Sequence, residues 1–421
     1  MKINHILSKK PSATLLFDVG KTHKKWSVTD TDGPLLDSDE QVFPEITDDD
    51  GFPCDDLAAL TRWLRDCYAR LRHDPRWHIT EVQFWAYGAS FVHLGADGEP
   101  VAPLYNYLKI MPEALEKRFY EMIGRDFGQS KTAFAAATCS PAMGLLNSGL
   151  QLYFLKYAKP AIFQQIHTSL HLPQYLSYLL TGEKASDYTS LGCHTALWDF
   201  ARRDYHGWVY REGLDRLLAP LAGVFVERDG VRIGRGLHDS SATLLRYAGR
   251  DNFLLISTGT WVINLNPFND EPLTEEQLRS DCLCYLTPEG RQTKASRVFL
   301  GKEHAYQCGR IAAHFGLKSE FYSELSQNEG LPPGLQNAFV PACMHGTGPF
   351  PEQPAGEWDL SPYPSAKAAY GALLHGLMDL LKASIDLIDN SVPVFFVEGG
   401  FVQNRWFMAL LRVYFPGKTI L

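Results

Sequence analysis

The stretch TLLFDVGKTHKKWSVTD, residues 14–30, decides how the first half of the chain folds. It contains an apolar strand at 14–17, a polar glycine turn at 18–22 and a second strand at 26–30, the pattern of a β-hairpin. The same plan returns in FLLISTGTWVINL, residues 253–265. This echo predicts two similar domains that face one cleft and place both glycine loops on the same ligand. Two unrelated hairpins are the alternative.

The composition excludes several classes of protein. The 421 residues suffice for two or three domains, and 45% apolar with 21% charged residues is typical of a globular chain. A net charge of −8 leaves no electrostatic reason to bind nucleic acid or an anionic membrane. No run approaches the roughly 20 apolar residues of a membrane span. Lys9, Lys10 and Pro11 interrupt the N-terminal apolar residues, so no signal peptide is expected. Eight scattered cysteines, interpreted as reduced thiols, favour a cytoplasmic protein.

Helices are predicted between and after the two hairpins, because apolar residues recur there at spacings of three and four. They are expected at 55–72, beginning at an Asp cap, and at 149–157, 173–180, 365–388 and 405–414, with a shorter helix-like stretch at 242–247. Strands and helices alternate, so the fold class is α/β. A further turn is expected at Asp32–Gly33, and a long Pro- and Gly-rich loop at 331–364.

The first glycine turn contains Gly-Lys-Thr but is not a Walker A loop. Leu15 stands where that motif requires its first glycine, and the chain continues into a strand instead of a helix. Backbone amides, a hydroxyl and lysine charges still suit a different phosphate site. The residues concerned are Gly20, Lys21, Thr22, Lys24 and Lys25. Asp18, at the end of an apolar strand, is costly to bury unless it is paired or close to a metal ion. A strand-end turn with solvated lysines is the alternative.

Three further polar motifs suggest ligand contacts. Ser257–Thr260 offers hydroxyls to terminal phosphates. Gly399–Gly400 follows a buried strand and exposes bare backbone to a flat ring, while Asn404 precedes a helix and can meet ribose or phosphate. His238–Asp239 precedes two serines, and its carboxylate can act as general base toward a sugar hydroxyl. Taken singly, each motif is also explained as a turn or a helix cap.

Together and in this order, the motifs resemble the FGGY carbohydrate kinases. The resemblance identifies Asp18–Gly20 as the first phosphate loop, Asp239 as the base, Ser257–Thr260 as the second phosphate loop and Gly399–Gly400 as the adenosine motif. It implies two ribonuclease-H-like domains, as in the sugar kinase, Hsp70 and actin superfamily, flanking a cleft. Residues 1–245 would bind sugar and carry the first loop, and residues 246–421 would bind nucleotide. The family's final helix, which follows the strand at 418–421, is expected to be absent from this sequence.

The resemblance also implies a reaction and its cofactors. His238–Asp239 looks most like the rhamnulose kinase branch, which implies that Gly88, His238 and Asp239 face the sugar. The segments at 85–106 and 173–199 resemble the family's sugar-side elements. The expected reaction is ATP-dependent phosphorylation of a ketose such as rhamnulose, with Mg²⁺ oriented through Asp18. The implied contacts to ATP are Gly20, Lys21, Thr22, Lys25, Thr258, Gly259, Thr260, Gly399, Gly400 and Asn404.

Several alternatives stay open. As alternatives to rhamnulose, the substrate is xylulose, fuculose or a polyol, or the protein is a non-catalytic sensor of sugar or nucleotide. The His238–Asp239 pair argues against a chaperone or filament protein of the same superfamily. Lys21 replaces the family's usual Thr or Ser, and it either reaches a phosphate or points to solvent beside Lys24 and Lys25. The expected partners are sugar and ATP, without nucleic acid or membrane, and a homodimer is left open.

Overall fold

The computed structural model of the protein describes residues 10–31, 33–323, 339–344 and 356–421. The chain divides into two compact units. Unit 1 runs to Tyr247 and includes Leu286–Gly290, and unit 2 comprises Ala248–Tyr285 and Arg291–Leu421. Asp32 of the expected turn, and residues 331–338 and 345–355 of the expected long loop, lie outside the described residues.

Unit 1 is a mixture of strands and helices. Its strands are β1 (Ser12–Val19), β2 (His23–Asp30), β3 (Leu35–Val42), β4 (Ile46–Thr47), β5 (Pro53–Cys54), β6 (His78–Ala86), β7 (Phe91–Leu94), β8 (Thr168–His171), β9 (Trp198–Asp199), β10 (Asp204–Tyr205), β11 (Phe225–Arg228), β12 (Val231–Gly234) and β13 (Leu237–His238). Its helices are α1 (Leu57–Arg72), α2 (Glu113–Phe127), α3 (Lys131–Ala137), α4 (Ser148–Ala158), α5 (Pro160–Phe163), α6 (Leu172–Thr181), α7 (Tyr188–Leu191), α8 (Gly207–Arg211) and α9 (Asp239–Ala242). Short 3-10 turns lie at Gly144–Leu146, Asp215–Leu217 and Thr243–Tyr247.

The main sheet of unit 1 has seven strands in the order β11-β12-β6-β1-β2-β3, with β13 also paired to β6. Strand β2 runs antiparallel to both β1 and β3, whereas β1, β12 and β13 each run parallel to β6. Alternation along β1 decides which residues enter the core: Ala13, Leu15, Phe17 and Val19 are fully buried. Asp18 therefore lies on the opposite face of the strand.

Unit 2 repeats this arrangement. Its strands are β14 (Phe253–Thr258), β15 (Val262–Asn266), β16 (Cys282–Leu286), β17 (Gln292–Val298), β18 (Val394–Gly399) and β19 (Thr419–Ile420). Its helices are α10 (Glu275–Arg279), α11 (Leu300–Phe315), α12 (Ala366–Asp386) and α13 (Arg405–Tyr414), with 3-10 turns at Phe321–Ser323 and Gly400–Gln403. The order β17-β15-β14-β18-β19 has the same strand directions as β3-β2-β1-β6-β12 of unit 1. The repeated sequence pattern thus corresponds to a repeated strand topology in the two units.

Most predicted elements are present, with corrections at their ends. Both hairpins form, but the second strand of the later hairpin begins at Val262, so Trp261 belongs to the loop. Helix α1 is capped by Asp56, whose carboxylate accepts a hydrogen bond from the Ala59 amide, and Asp55 lies before the helix. The stretch 242–247 is not a single helix, because α9 begins at Asp239 and a 3-10 turn follows it.

Two observations bear on the environment of the protein. All eight cysteines are free thiols, as expected from their scattered positions in the sequence. Among the helices of the described ranges, none combines the length and the apolar character that crossing a bilayer requires.

Candidate active site

Three polar segments of unit 1 follow parallel strands that end at the same edge of the sheet. In the register of the sheet, Val19 of β1 pairs with Ala86 of β6, and Ala86 pairs with His238 of β13. The first loop (residues 20–22), Gly88 and Asp239 come directly after these strand ends. Ligands of α/β proteins bind beyond the carboxyl ends of such strands. The structure therefore brings together the unit 1 motifs that the sequence singled out.

Asp239 is a partly exposed carboxylate whose pKa is raised. It is the first residue of α9, and its side chain remains 38% exposed. Burial raises the pKa of Asp239 to about 6, although hydrogen bonds from the Ser240 amide and hydroxyl oppose the shift. At neutral pH the carboxylate is ionised, yet it binds a proton more readily than an ordinary aspartate does.

Asp18 shares its surroundings with Asp239. Burial, and then the negative charge of Asp239, raise the pKa of Asp18, while Lys25 and Arg246 act in the opposite direction. No described residue donates a hydrogen bond to the Asp18 carboxylate. Magnesium prefers oxygen ligands, and a cation near two carboxylates that repel each other relieves that repulsion. The donor set at this edge thus fits Mg²⁺.

His238 packs tightly against the segment that carries Gly88. Its Nε2 atom lies 3.3 Å from Asp239 Oδ1 and 3.1 Å from Cys193 Sγ. Burial lowers the pKa of His238 to about 4, so the ring is neutral at neutral pH. A Cβ at Gly88 would lie 2.6 Å from Cys193 Sγ and 2.9 Å from His238 Cδ2, so a larger residue requires displacement. Sequence reasoning missed Cys193, because nothing in its local sequence marks it.

The segment at 187–189 is hydrogen-bonded to the backbone of His238. Thr189 Oγ1 accepts a hydrogen bond from the His238 amide at 2.9 Å and donates one to Asp187. Asp187 in turn caps α7 through the Thr189 amide at 2.7 Å. Burial raises the pKa of Asp187 to about 6, against the effect of these hydrogen bonds. The family resemblance pointed to this segment, but only the structure gives its link to His238.

The first loop is a tight turn, and its lysine, Lys21, forms ion pairs with two carboxylates. The Gly20 amide donates to the His23 carbonyl at 2.9 Å, and Thr22 is exposed. Lys21 Nζ lies 2.6 Å from Asp55 Oδ2 and 3.1 Å from Glu45 Oε1. Burial alone would lower the pKa of Lys21, but hydrogen bonds and charge from these two carboxylates outweigh it and the pKa is raised. Lys21 is thus held by two carboxylates and does not simply point to solvent beside Lys25.

Lys25, the other lysine expected at the phosphates, is on the surface. Its Nζ lies 3.1 Å from Glu40 Oε2 in an ion pair whose side chains are both about half exposed. An exposed pair of this kind contributes roughly 0–1 kcal/mol to stability. Little free energy therefore opposes its exchange for another anion.

In unit 2 the second phosphate motif and the Gly-Gly motif are direct neighbours. Thr258 and Gly399 are partners in the parallel pairing of β14 and β18. The Thr258 hydroxyl donates to the Glu398 carbonyl at 2.5 Å and accepts from the Phe401 amide at 3.1 Å. Gly399 has φ of 88°, and a Cβ there would lie 1.8 Å from the Thr258 carbonyl oxygen. This position requires glycine.

The exposed part of the second loop is Gly259–Thr260. The Gly259 amide donates to the Trp261 carbonyl at 2.9 Å, which closes the hairpin. A Cβ at Gly301, on α11, would lie 1.9 Å from the Gly259 carbonyl oxygen. Sequence reasoning missed Gly301, because it stands far along the chain from the loop that it contacts.

A cavity of about 360 Å³ in unit 2 contains two of the expected nucleotide contacts. It is lined by Glu320, Tyr322, Ser323, Gly400, Gln403, Asn404, Arg405 and Trp406. A Cβ at Gly400 would meet nothing within 4 Å. Asn404 caps α13 by accepting from the Phe407 amide at 3.1 Å, and its amide nitrogen donates to the Tyr370 hydroxyl at 2.7 Å. The aromatic lining was not predicted, since isolated aromatic residues are usual in a core.

The C-terminal part of the chain matches a family of known proteins. The family described as carbohydrate kinase FGGY, C-terminal domain, matches residues 250–421. A rhamnulokinase of Mannheimia succiniciproducens is 24% identical over 52% of this chain and 45% of its own length. A rhamnulokinase of Oceanobacillus iheyensis is 27% identical over 65% of this chain and 62% of its own length. The chain thus spans about half the length of the curated relatives it matches.

Solved structures match nearly the whole chain. A carbohydrate kinase from Novosphingobium aromaticivorans has a TM-score of 0.80 at 27% identity, over 96% of this chain and 89% of that one. Ligand-bound xylulose kinase from Lactobacillus acidophilus has a TM-score of 0.74 at 16% identity, over 95% of this chain and 84% of that one. The expected α/β fold of the sugar kinase superfamily is confirmed. Residues 250–421 match the C-terminal domain of the FGGY carbohydrate kinases, and the whole chain is similar in fold to solved sugar kinases.

Proposed function

We propose that this protein transfers the γ-phosphoryl group of ATP to a hydroxyl of a ketose, with rhamnulose as the first candidate. The observation that carries the proposal is the position of Asp239, at the sheet edge beside His238, Gly88 and Asp18. The named rhamnulokinases among the relatives support the choice of sugar. The match of residues 250–421 to the FGGY carbohydrate kinase C-terminal domain supports the reaction class.

In the proposed reaction, an Asp239 carboxylate oxygen accepts the proton of the sugar hydroxyl. The hydroxyl oxygen forms a bond to the γ-phosphorus, the bond to the bridging oxygen of ADP breaks, and ADP leaves. Neutral His238, 3.3 Å from the base, adds no positive charge that would lower the proton affinity of Asp239. Its contact with Cys193 and its amide bond to Thr189 hold the ring and the base in place.

The remaining site residues bind and orient the nucleotide. Asp18 would hold Mg²⁺, directly or through water, and magnesium supplies charge neutralisation at the phosphates when it is bound. We assign phosphate binding to Gly20, Lys21, Thr22, Lys25, Thr258, Gly259 and Thr260, and nucleoside binding to Gly399, Gly400 and Asn404. Positioning and electrostatics supply most of the rate in phosphoryl transfer, because the protein has little covalent chemistry to perform.

A substrate screen tests this proposal. Purified protein is incubated with MgATP and, separately, rhamnulose, xylulose, fuculose, gluconate and polyols, and ADP release and sugar phosphate are both measured. We expect one ketose to stimulate ADP release in stoichiometric amounts with its phosphate, and Asp239→Asn to abolish most of the stimulation. ATP and sugar binding without turnover would identify a sensor. ATP hydrolysis that no sugar stimulates would favour the chaperone-like class.

A further inference from the structure

We propose that Asp55 is a positioning residue that ties the first loop to the segment carrying Gly88. We further propose that its two lysine partners have different roles: Lys24 is the permanent partner, and Lys21 is the cation that exchanges Asp55 for a phosphate. The tether stands on contacts within unit 1 alone. Its kinetic consequence rests on the proposed function.

Asp55 receives hydrogen bonds from three side chains. Its Oδ1 accepts from Lys24 Nζ at 2.9 Å, and its Oδ2 accepts from Lys21 Nζ at 2.6 Å and from the Tyr87 hydroxyl at 2.8 Å. The Asp55 side chain is only 7% exposed. Burial would raise the pKa of Asp55, but these three donors outweigh burial and the pKa is lowered. A buried carboxylate with three donors is a rigid junction.

This junction connects two strand ends. Lys24 pairs with Val19 across the hairpin of β1 and β2, at the base of the first loop. Tyr87 directly precedes Gly88, and its amide donates to the Val19 carbonyl at 3.1 Å. Asp55 therefore joins the loop expected to bind phosphate to the segment expected to face sugar.

The two lysines differ in burial and in their second partners. The Lys24 side chain is 2% exposed, and its Nζ also donates to the Lys21 carbonyl at 2.8 Å, so it supports the backbone of the first loop. The Lys21 side chain is 25% exposed, and its second partner, Glu45, is 47% exposed. Removing the last cation from a buried carboxylate is strongly destabilising. Because Lys24 remains on Asp55, Lys21 can leave for a phosphate without that cost.

Hydrogen–deuterium exchange tests the tether without any need for activity. Asp55→Asn and Lys24→Met should raise amide exchange in both 19–25 and 86–90 by roughly tenfold, the loss expected for a charged hydrogen bond. Lys21→Met should leave both segments within about twofold of the wild type, because Lys24 and Tyr87 still hold Asp55. Asp386→Asn is the matched control, since Asp386 also bonds a lysine at 2.6 Å but is 52% exposed.

The more conservative Tyr87→Phe keeps the test decisive if Lys24→Met does not fold. It removes only the phenol hydroxyl, and it should loosen 86–90 while 19–25 keeps its protection. Unchanged protection in Asp55→Asn would overturn the tether. Equal loosening by Lys21→Met and Lys24→Met would overturn the division of roles.

Kinetics then tests the functional consequence. Asp55→Asn should lower kcat by roughly 10- to 100-fold, as small misplacements of reacting groups do, with KM for sugar and ATP within about threefold. The double variant Asp55→Asn/Lys24→Met should lose no more than the worse single variant, because both break one tether. A simple loss of folded protein would also lower the apparent kcat at unchanged KM, so kcat is calculated per folded molecule, with the folded fraction taken from thermal unfolding at the assay temperature. Additive losses would overturn the shared role. A wild type that phosphorylates no sugar would overturn the proposed function, and the exchange data alone would then decide the tether.

Discussion

The two units carry loops at the same topological position but hold them by different chemistry. The first loop, after β1, is backed by a buried network of two lysines, an aspartate and a tyrosine. The second loop, after β14, is backed by the Thr258 hydroxyl and by the close approach of Gly399 and Gly301 to backbone oxygens. Shared topology therefore determines where a loop lies, and the local side chains determine what it can exchange with a ligand.

This difference has a physical consequence. A lysine held by ion pairs can trade one anion for another, because the charge is satisfied before and after the exchange. Gly399 allows no comparable exchange, because a Cβ at this position would lie only 1.8 Å from the Thr258 carbonyl oxygen. We expect unit 1 to be sensitive to charge and unit 2 to be sensitive to side-chain volume.

The largest expected effect separates catalysis in unit 1 from nucleotide binding in unit 2. Asp239→Asn should lower kcat by about 10² to 10⁴-fold, because it removes the general base. The fold and the affinity for ATP should stay close to wild type, as the amide is nearly the same size. Steady-state kinetics and calorimetry with MgATP measure the two effects. Undiminished turnover of the purified variant would contradict the assignment.

Two adjacent glycines test the volume sensitivity of unit 2. Gly399→Ala should destabilise the fold by roughly 2–4 kcal/mol, because of its φ of 88° and the clash with the Thr258 carbonyl. Gly400→Val should leave the fold intact, since its Cβ meets nothing within 4 Å, yet weaken ATP binding far more than sugar binding. Thermal unfolding and calorimetry measure these effects. Equal losses for both ligands in Gly400→Val would instead indicate a structural role.

A charge substitution tests the first loop. Lys21→Met should cost about 1–3 kcal/mol in the activation free energy of kcat if the ammonium reaches a phosphate. The measurement uses saturating Mg²⁺ and sugar, with Lys382→Met as a control on an exposed ion pair of unit 2. A kcat within about twofold of the wild type, as for neutral surface changes, would show that Lys21 never leaves Asp55 for the substrate.

The smallest effect is a pH dependence that unit 1 alone should show. The base must be ionised, so kcat/KM should fall about tenfold per pH unit below about 6, the raised pKa of Asp239. The stability of the fold should change with pH in the opposite direction to kcat/KM. A raised carboxyl pKa favours the protonated native state, so stability from this group is present at low pH and is lost as pH rises through 6.

The comparison with Asp239→Asn measures this sign. The melting temperature of Asp239→Asn minus that of the wild type should increase as the pH rises from 5 to 8, because only the wild type loses stability when Asp239 ionises. If kcat/KM of the wild type does not fall below about pH 6, Asp239 is not the base. The Lys21→Met variant should show the same fall as the wild type, because it retains Asp239.

Much of the fold was predictable from local patterns. The apolar runs at 14–17 and 253–256 marked the two central strands β1 and β14, and the helix expected at 405–414 is α13. The errors lie at ends: Asp56 and not Asp55 caps α1, and Asp239 begins the helical turn that was expected at Ala242. Adjacent polar residues compete for cap positions with nearly equal free energy, and tertiary partners decide between them.

The candidate site was predictable only as a set of motifs. Asp18, Asp239 and the glycines were recognisable because each follows a strand with turn chemistry. The resemblance pointed to the segment that holds Thr189, but the contacts of Thr189, Cys193 and Asp55 were not predictable, since a buried hydroxyl, thiol or carboxylate has no local signature of its partner. Their roles come from contacts between residues more than 30 positions apart in the chain, such as the Lys21–Asp55 pair.

The sequence by itself determined the class of this protein: the repeated strand, loop and strand, the order of the motifs and the family they indicate. Tertiary structure alone decided the state of Lys21, which local charge suggested would face phosphate or water. The reason is that Asp55, which lies 34 positions along the chain and is brought near only by folding, offers a buried carboxylate that needs cations, and burial strengthens that attraction well beyond its value in water. Hydrophobic periodicity is a property of the chain, whereas the electrostatic environment of a side chain exists only once the chain has folded.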